Sequence, residues 1–148
     1  MNLPPLRPVV VVTEGDGPGR TLAARLRAAG SAVRMLPVVS HGPAPDPAPL
    51  ASALARLPDY AWAAFTSVRA VNAVCQDAAW TGWPWGTAAR PRIAAVGPVT
   101  RAVLISNGVP VALCPGVPGA RPLAHAMIAA EGGSMSGRTV FWPRSIIA

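Results

Sequence analysis

The chain has 148 residues, of which 51% are hydrophobic and only 13% charged, enough apolar side chain for a packed core and too little charge for a disordered segment. All 13 basic residues are Arg against six acids, giving a net charge of +7. The arginines are scattered rather than gathered on one element, which argues against a nucleic-acid interface and leaves a mild preference for anionic ligands, since Arg pairs with carboxylates in a bidentate fork.

Neither end reads as a targeting segment. The apolar run Val9 to Val12 falls far short of the roughly 20 residues a membrane span requires. The residues before it include two adjacent prolines and no cationic n-region, so a cytoplasmic protein with no membrane partner is expected. Cys75 and Cys114 form no CxxC pair and read as small core residues. With only His41 and His125 beside them, neither a metal site nor a disulfide framework is expected.

In chain order, Arg7 to Thr13 reads as a buried strand with four consecutive valines. Gly15 to Gly19 is a turn, and Arg20 to Ala29 a helix whose apolar face is Leu22, Ala23, Leu26 and Ala29. Gly30 ends it, and Ser31 to Val39 is the second strand of a βαβ unit. The Pro-rich stretch from Ser40 to Pro49 reads as a linker between domains. A short helix over 49–57 follows, then a strand over 60–65 and a helix over 68–79.

The next loop, 80–91, holds Trp80, Trp83 and Trp85 and reads as a satellite cluster beside the helix, with a binding loop as the alternative. Further strands are expected at 92–96, 109–113 and 138–142, and further helices at 101–107 and 120–130. This alternation predicts an α/β fold with a parallel, doubly wound sheet. Only Pro143 to Ala148 follow the last strand, where a helix is expected next. The division predicted is therefore 1–38 as the first βαβ segment of an incomplete domain, 39–48 as the crossing, and 49–148 as a second domain lacking its final helix and strand. Such a chain is expected to fold poorly alone.

In open α/β sheets, ligands bind beyond the carboxyl ends of the strands. The turns at Thr13-Glu14-Gly15, Thr66-Ser67, Gly97-Pro98-Val99-Thr100 and Pro143-Arg144-Ser145 fall there. A Ser or Thr at such a turn caps the helix, and helix N-termini favour anions. Each residue taken singly is equally well explained as an ordinary N-cap. Gly15-Asp16-Gly17-Pro18-Gly19 lacks the third glycine of a dinucleotide fingerprint, because Arg20 stands there.

Tyr60-Ala61-Trp62-Ala63-Ala64-Phe65-Thr66-Ser67, with Ala70-Val71 after it, resembles a motif of the uroporphyrinogen-III synthase family. Gly97-Pro98-Val99-Thr100 is similar to that family's Gly-Pro-x-Thr turn, and Gly137 to Arg144 to its Gly-x-x-Val-apolar-apolar-Pro-Arg segment. Leu22 to Gly30 resembles its first helix, so the four motifs cover most of the chain in order. After the first strand the family commonly has Thr-Arg-Pro where this chain has Thr13-Glu14-Gly15, and family members continue well beyond the last matched segment.

The resemblance implies a flavodoxin-like α/β fold and a lyase, acting without cofactor as a monomer. Its substrate would be hydroxymethylbilane, a linear tetrapyrrole polycarboxylate, closed with loss of water and inversion of ring D. It implies Thr100 as the catalytic hydroxyl and Thr13, Thr66, Ser67, Arg69, Gly97, Pro98, Pro143 and Arg144 as substrate-binding residues. A non-catalytic anion- or nucleotide-binding module and an inactive truncated remnant are the rival readings.

Overall fold

A computed structural model describes residues 9–14, 17–39, 42, 44–86 and 91–144. Arg7 and Pro8 of the first expected strand, Gly15 and Asp16 of the first turn, Ser40, His41 and Pro43 of the linker, residues 87–90 of the tryptophan loop, and Ser145 lie outside the described residues. The chain divides into two compact units, Met1–Gly42 and Pro43–Ala148.

The first unit is one βαβ motif: β1 (Val9–Glu14), α1 (Gly17–Ala28) and β2 (Ala32–Val39). The strands pair in parallel from Val9 opposite Ala32 to Val12 opposite Met35. α1 starts at Gly17, three residues before the predicted start, and Gly19 lies where any Cβ would overlap the Glu14 carbonyl. This glycine therefore allows the helix to pack against the end of β1. At the other end Gly30 takes φ +87°, while the Ser31 N–H bonds the Leu26 carbonyl at 3.0 Å and the Gly30 N–H that of Arg27 at 2.9 Å. That pair of bonds closes the helix as a Schellman motif.

The expectation of a buried first strand is corrected. Val12 and Ala23 are buried, whereas Val9 and Val11 are 58% and 51% exposed. α1 covers one face of the two strands, so alternate valines remain in solvent.

The second unit contains α2 (Ala48–Leu54), a 3-10 turn (Leu57–Asp59), β3 (Trp62–Phe65), α3 (Val68–Val74), α4 (Ala78–Thr81), β4 (Arg92–Ala95), α5 (Pro98–Ser106), α6 (Ala120–Ala130) and β5 (Val140–Phe141). Its strands run parallel in the order β4-β3-β5. Trp62 stands opposite Arg92 on one side and Val140 on the other. The mixed α/β architecture with parallel strands is the predicted class.

Strand alternation sorts the core into two layers. Ala63, Phe65, Ile93, Ala95 and Phe141 face α3 and α5, meeting Val71, Val74 and Leu104. Trp62, Ala64 and Ala94 face α6 through Leu123 and Met127. All four residues of β3 are buried, as a strand covered on both faces should be.

Three of the differences from the predicted bounds have a local cause. The single helix expected over 68–79 is two, because Asp77 accepts from the Ala79 N–H at 2.8 Å and caps a new start. The strand expected over 109–113 is reduced to a Leu113–Ala94 bridge, since Pro110 has no N–H to add to a ladder. α5 begins at Pro98 rather than Arg101, proline being preorganised for the first helical position.

The tryptophan loop packs inward. Trp80 is 1% exposed and meets the Phe65 ring edge-on at 5.3 Å, with Trp85 at 4.5 Å on its other side. Neighbouring Cys75 is partly buried, and that burial raises its thiol above the ordinary value, which makes it poorly reactive.

Candidate functional site

The two edges of the three-stranded sheet are built differently. At the amino edge Glu131, just past α6, gathers the starts of all three strands. One carboxylate oxygen accepts from the Trp62 Nε1–H at 3.0 Å and from Arg92 at 3.2 Å, and the other pairs with Arg138 Nε at 2.7 Å. The Arg92 guanidinium also lies 4.1 Å over the Trp62 ring. The indole hydrogen bond, then Arg138 and Arg92, hold the Glu131 carboxyl below the usual carboxylate range against a smaller opposing effect of desolvation. This edge is closed by its own hydrogen bonds and ion pairs.

The carboxyl edge is open. Here β3 runs into Thr66 and Ser67, β4 into Val96 and Gly97, and β5 into Trp142, Pro143 and Arg144, the three ends lying abreast. The Val96 N–H donates to the Phe65 carbonyl at 2.9 Å, carrying the β3–β4 ladder to the rim.

Ser67 is extended and caps α3, its Oγ accepting from the Ala70 N–H at 3.1 Å. Arg69 is exposed on the first turn of the same helix. Gly97 precedes α5 without a side chain to cap it, so the first-turn amides of α5 lack the acceptor that α3 has. A Cβ at this position would come within 3.1 Å of Pro118 Cβ, tighter than ordinary contact, so the glycine avoids a close approach to that residue. Pro98 and Val99 are exposed, whereas Thr100 turns inward and is 5% exposed.

Across the rim, the Trp142 indole donates to Thr66 Oγ1 at 3.3 Å and the Arg144 guanidinium lies 5.6 Å from the Trp142 ring. The second unit thus brings together Thr66, Ser67, Gly97, Pro98, Pro143 and Arg144 at one sheet edge, with Arg69 on the adjoining helix turn and Thr100 beneath. Thr13, the penultimate residue of β1, lies in the first unit, where it is exposed.

Trp142, which the residue-by-residue reading did not single out, also lies on this rim. It is 54% exposed at the end of β5, and its signal was a large aromatic immediately before a Pro-Arg pair. A rim of this composition offers a hydroxyl, a π face, a guanidinium and an uncapped helix start, which suit a flat, conjugated anion. No group of three or more His, Cys, Asp or Glu among the described residues is placed to hold a metal ion. Nor is any described helix long and apolar enough to cross a membrane.

A family model of uroporphyrinogen-III synthase HemD matches residues 20–148. A uroporphyrinogen-III synthase of Synechococcus elongatus is 35% identical over 104 residues, 67% of this chain. The chain spans 37% of that relative's own length. No solved structure matches it significantly. The profile match runs from α1 to the Pro143-Arg144 rim and beyond, and with the parallel α/β fold it establishes that this chain belongs to the uroporphyrinogen-III synthase family.

Proposed function

We propose that this chain supplies a substrate-binding wall of a uroporphyrinogen-III synthase, a lyase that closes hydroxymethylbilane with loss of water and inversion of ring D. The observation that carries this reading is the open carboxyl edge, where three parallel strands present Thr66, Gly97 and Trp142 abreast. The bilane carries acetate and propionate side chains on flat pyrrole rings, matching a rim of helix starts, guanidinium and aromatic face.

The electron-rich pyrrole itself expels the hydroxyl group, so the protein's task is to hold the bilane in the geometry that favours inverted closure over the spontaneous one. Every tenfold gain in that choice takes about 1.4 kcal/mol of differential transition-state stabilisation. Oriented amides and hydroxyls suffice for this, which fits a chain with only six acids and two histidines. In this reading Ser67, Arg69, Gly97 and Pro98 bind carboxylates beside Thr66, and Pro143 and Arg144 do so at the β5 end. Thr100 is the hydroxyl assigned to the reacting end.

The test is to incubate the chain with hydroxymethylbilane and separate the type I and type III products. A type III excess that falls in the Thr66→Ala, Ser67→Ala, Thr100→Ala triple variant supports the reading. Thr100→Val, which keeps the buried shape and removes the hydroxyl, isolates that residue's role. Saturable binding with no type III product assigns the chain to an anion-binding module instead. Absence of both binding and turnover overturns the proposal.

A further inference from the structure

A fourth strand end joins the carboxyl edge of the second unit, on the outer side of β4. Leu113 bridges Ala94 in parallel, and its carbonyl accepts from the Ala95 N–H at 2.9 Å. The chain that follows returns to the rim, where the Gly119 N–H donates to the Val96 carbonyl at 3.3 Å, and enters α6. In spatial order the four ends therefore lead into α6, α5, α3 and, past β5, Pro143 and Arg144.

Each end carries one arginine. Arg121 stands in the first turn of α6, Arg101 in that of α5, Arg69 in that of α3, and Arg144 just after β5, and all four are exposed. No Asp or Glu occurs in 66–71, 96–101, 114–122 or 142–144. The amino edge differs: there Arg92 and Arg138 both pair with Glu131, at 3.2 and 2.7 Å. Arg101, Arg121 and Arg144 meet no carboxylate among the described residues.

Local electrostatics do not account for this placement. A helix start is the positive end of the helix dipole, which favours acids and disfavours the cations found at α5 and α6. Cα–Cβ bonds tilt toward the N-terminus of a helix, so Arg101 and Arg121 lean toward the rim. Neighbouring strands lie about 4.8 Å apart, so four ends abreast span roughly 14 Å. A single carboxylate cannot reach along such a row, whereas an extended anion with several of them can meet one guanidinium after another.

We propose that Arg101 and Arg121 bind substrate carboxylates and complete, with Arg69 and Arg144, a row that selects its ligand by the number of carboxylates it carries. The row rests on the bilane reading above and deepens it. Guanidiniums spread over four strand ends engage acetates as well as propionates, so a bilane with half its carboxylates removed leaves part of the row unused.

The test uses the 148-residue chain, tryptophan fluorescence quenching and two probes. One is hydroxymethylbilane, and the other a synthetic bilane with methyl in place of every acetate. The parent should prefer the first by about tenfold or more. Arg101→Ala and Arg121→Ala should each weaken its binding about three- to tenfold, and together remove most of the preference. Neither should lower the melting temperature, because both remove a cation from a helix start. Arg56→Ala, which removes an equal charge from an exposed position before β3, should leave affinity and preference unchanged. Equal losses in Arg56→Ala would reduce the effect to bulk charge and overturn the proposal, as would a parent that binds both bilanes alike. If the double variant keeps the parent's affinity and preference while Ser67→Asp loses affinity, this proposal falls and the carboxyl-edge reading stands. If the parent binds neither bilane, both fall.

Discussion

Ser67 is where a structural and a ligand-binding role are superimposed, and two substitutions separate them. Its Oγ accepts the Ala70 N–H at 3.1 Å and caps α3, a helix of only seven residues. Removing such a cap costs about 1 kcal/mol, with a range of roughly 0.5–2. For a domain of about 100 residues that lowers the melting temperature by about 4 °C or somewhat more. Ser67→Ala is therefore expected to melt earlier. Ser67→Asp restores a side-chain acceptor and places a negative charge at a helix N-terminus, so its melting should match the parent's.

On bilane binding, Ser67→Asp should be the more damaging of the two. A new carboxylate at the rim meets a bound carboxylate with a repulsion of about 1 kcal/mol in bulk water and about 4 kcal/mol near a protein surface, for charges roughly 4 Å apart. With screening at physiological salt, about 1–2 kcal/mol is expected, or roughly five- to thirtyfold weaker binding of hydroxymethylbilane. Tryptophan fluorescence quenching reads this, and the penalty should shrink as salt is raised. If Ser67→Asp is as stable as the parent and binds the bilane as tightly, the carboxyl edge is not the anion-binding wall. If Ser67→Ala melts unchanged, the cap contributes nothing and the local geometry has been misjudged.

Leu104 is wholly buried between α5 and the sheet, and Leu104→Ala should cost about 2–5 kcal/mol in chemical denaturation with little change in slope. Gly30 holds φ +87° at the end of α1, so Gly30→Ala should destabilise the first unit by about 1–2 kcal/mol, read as faster hydrogen exchange in α1. Glu131 carries a pH dependence. Its folded carboxyl is held below the unfolded value of about 4.3, so the folded state sheds this proton more readily and the contribution is fully present above that value. The contribution disappears as pH falls through the lowered folded value. Glu131→Gln should thus be less stable than the parent at neutral pH and converge on it in acid, and a difference that stays constant from about pH 7 to pH 3 would contradict this.

Fold class was legible because periodicity and punctuation agree in most of the chain. The run Trp62 to Phe65, the glycine after α1 and the apolar spacing of α6 each identify their element from local chemistry alone. What was not legible depends on distant partners. Nothing beside Glu131 in sequence says that Trp62, 69 residues earlier, will donate to its carboxylate. Burial of the valine strand was misjudged for a similar reason. A four-valine run reads as covered on both faces, but a two-stranded sheet with one helix covers only one. Trp142 could be located at a strand end from its Pro-Arg neighbours, yet its meeting with Thr66 requires β5 to lie directly beside β3, a strand order that no local pattern encodes.

The contrast between the two sheet edges bears on how stability and binding are divided in this unit. Glu131, Arg92, Arg138 and Trp62 satisfy one another at the amino edge, so the strands are aligned there without help from the opposite end. The carboxyl edge keeps an exposed indole, an exposed guanidinium and a helix start with no side-chain cap. Polar groups of this kind are tolerated in water, and become useful when a ligand replaces the water. Substitutions at Trp142 and Arg144 should therefore alter bilane affinity while leaving the melting temperature nearly unchanged, and Arg92→Ala should do the reverse. If both sets moved stability and affinity together, alignment and binding would share one network and the division by edges would be wrong.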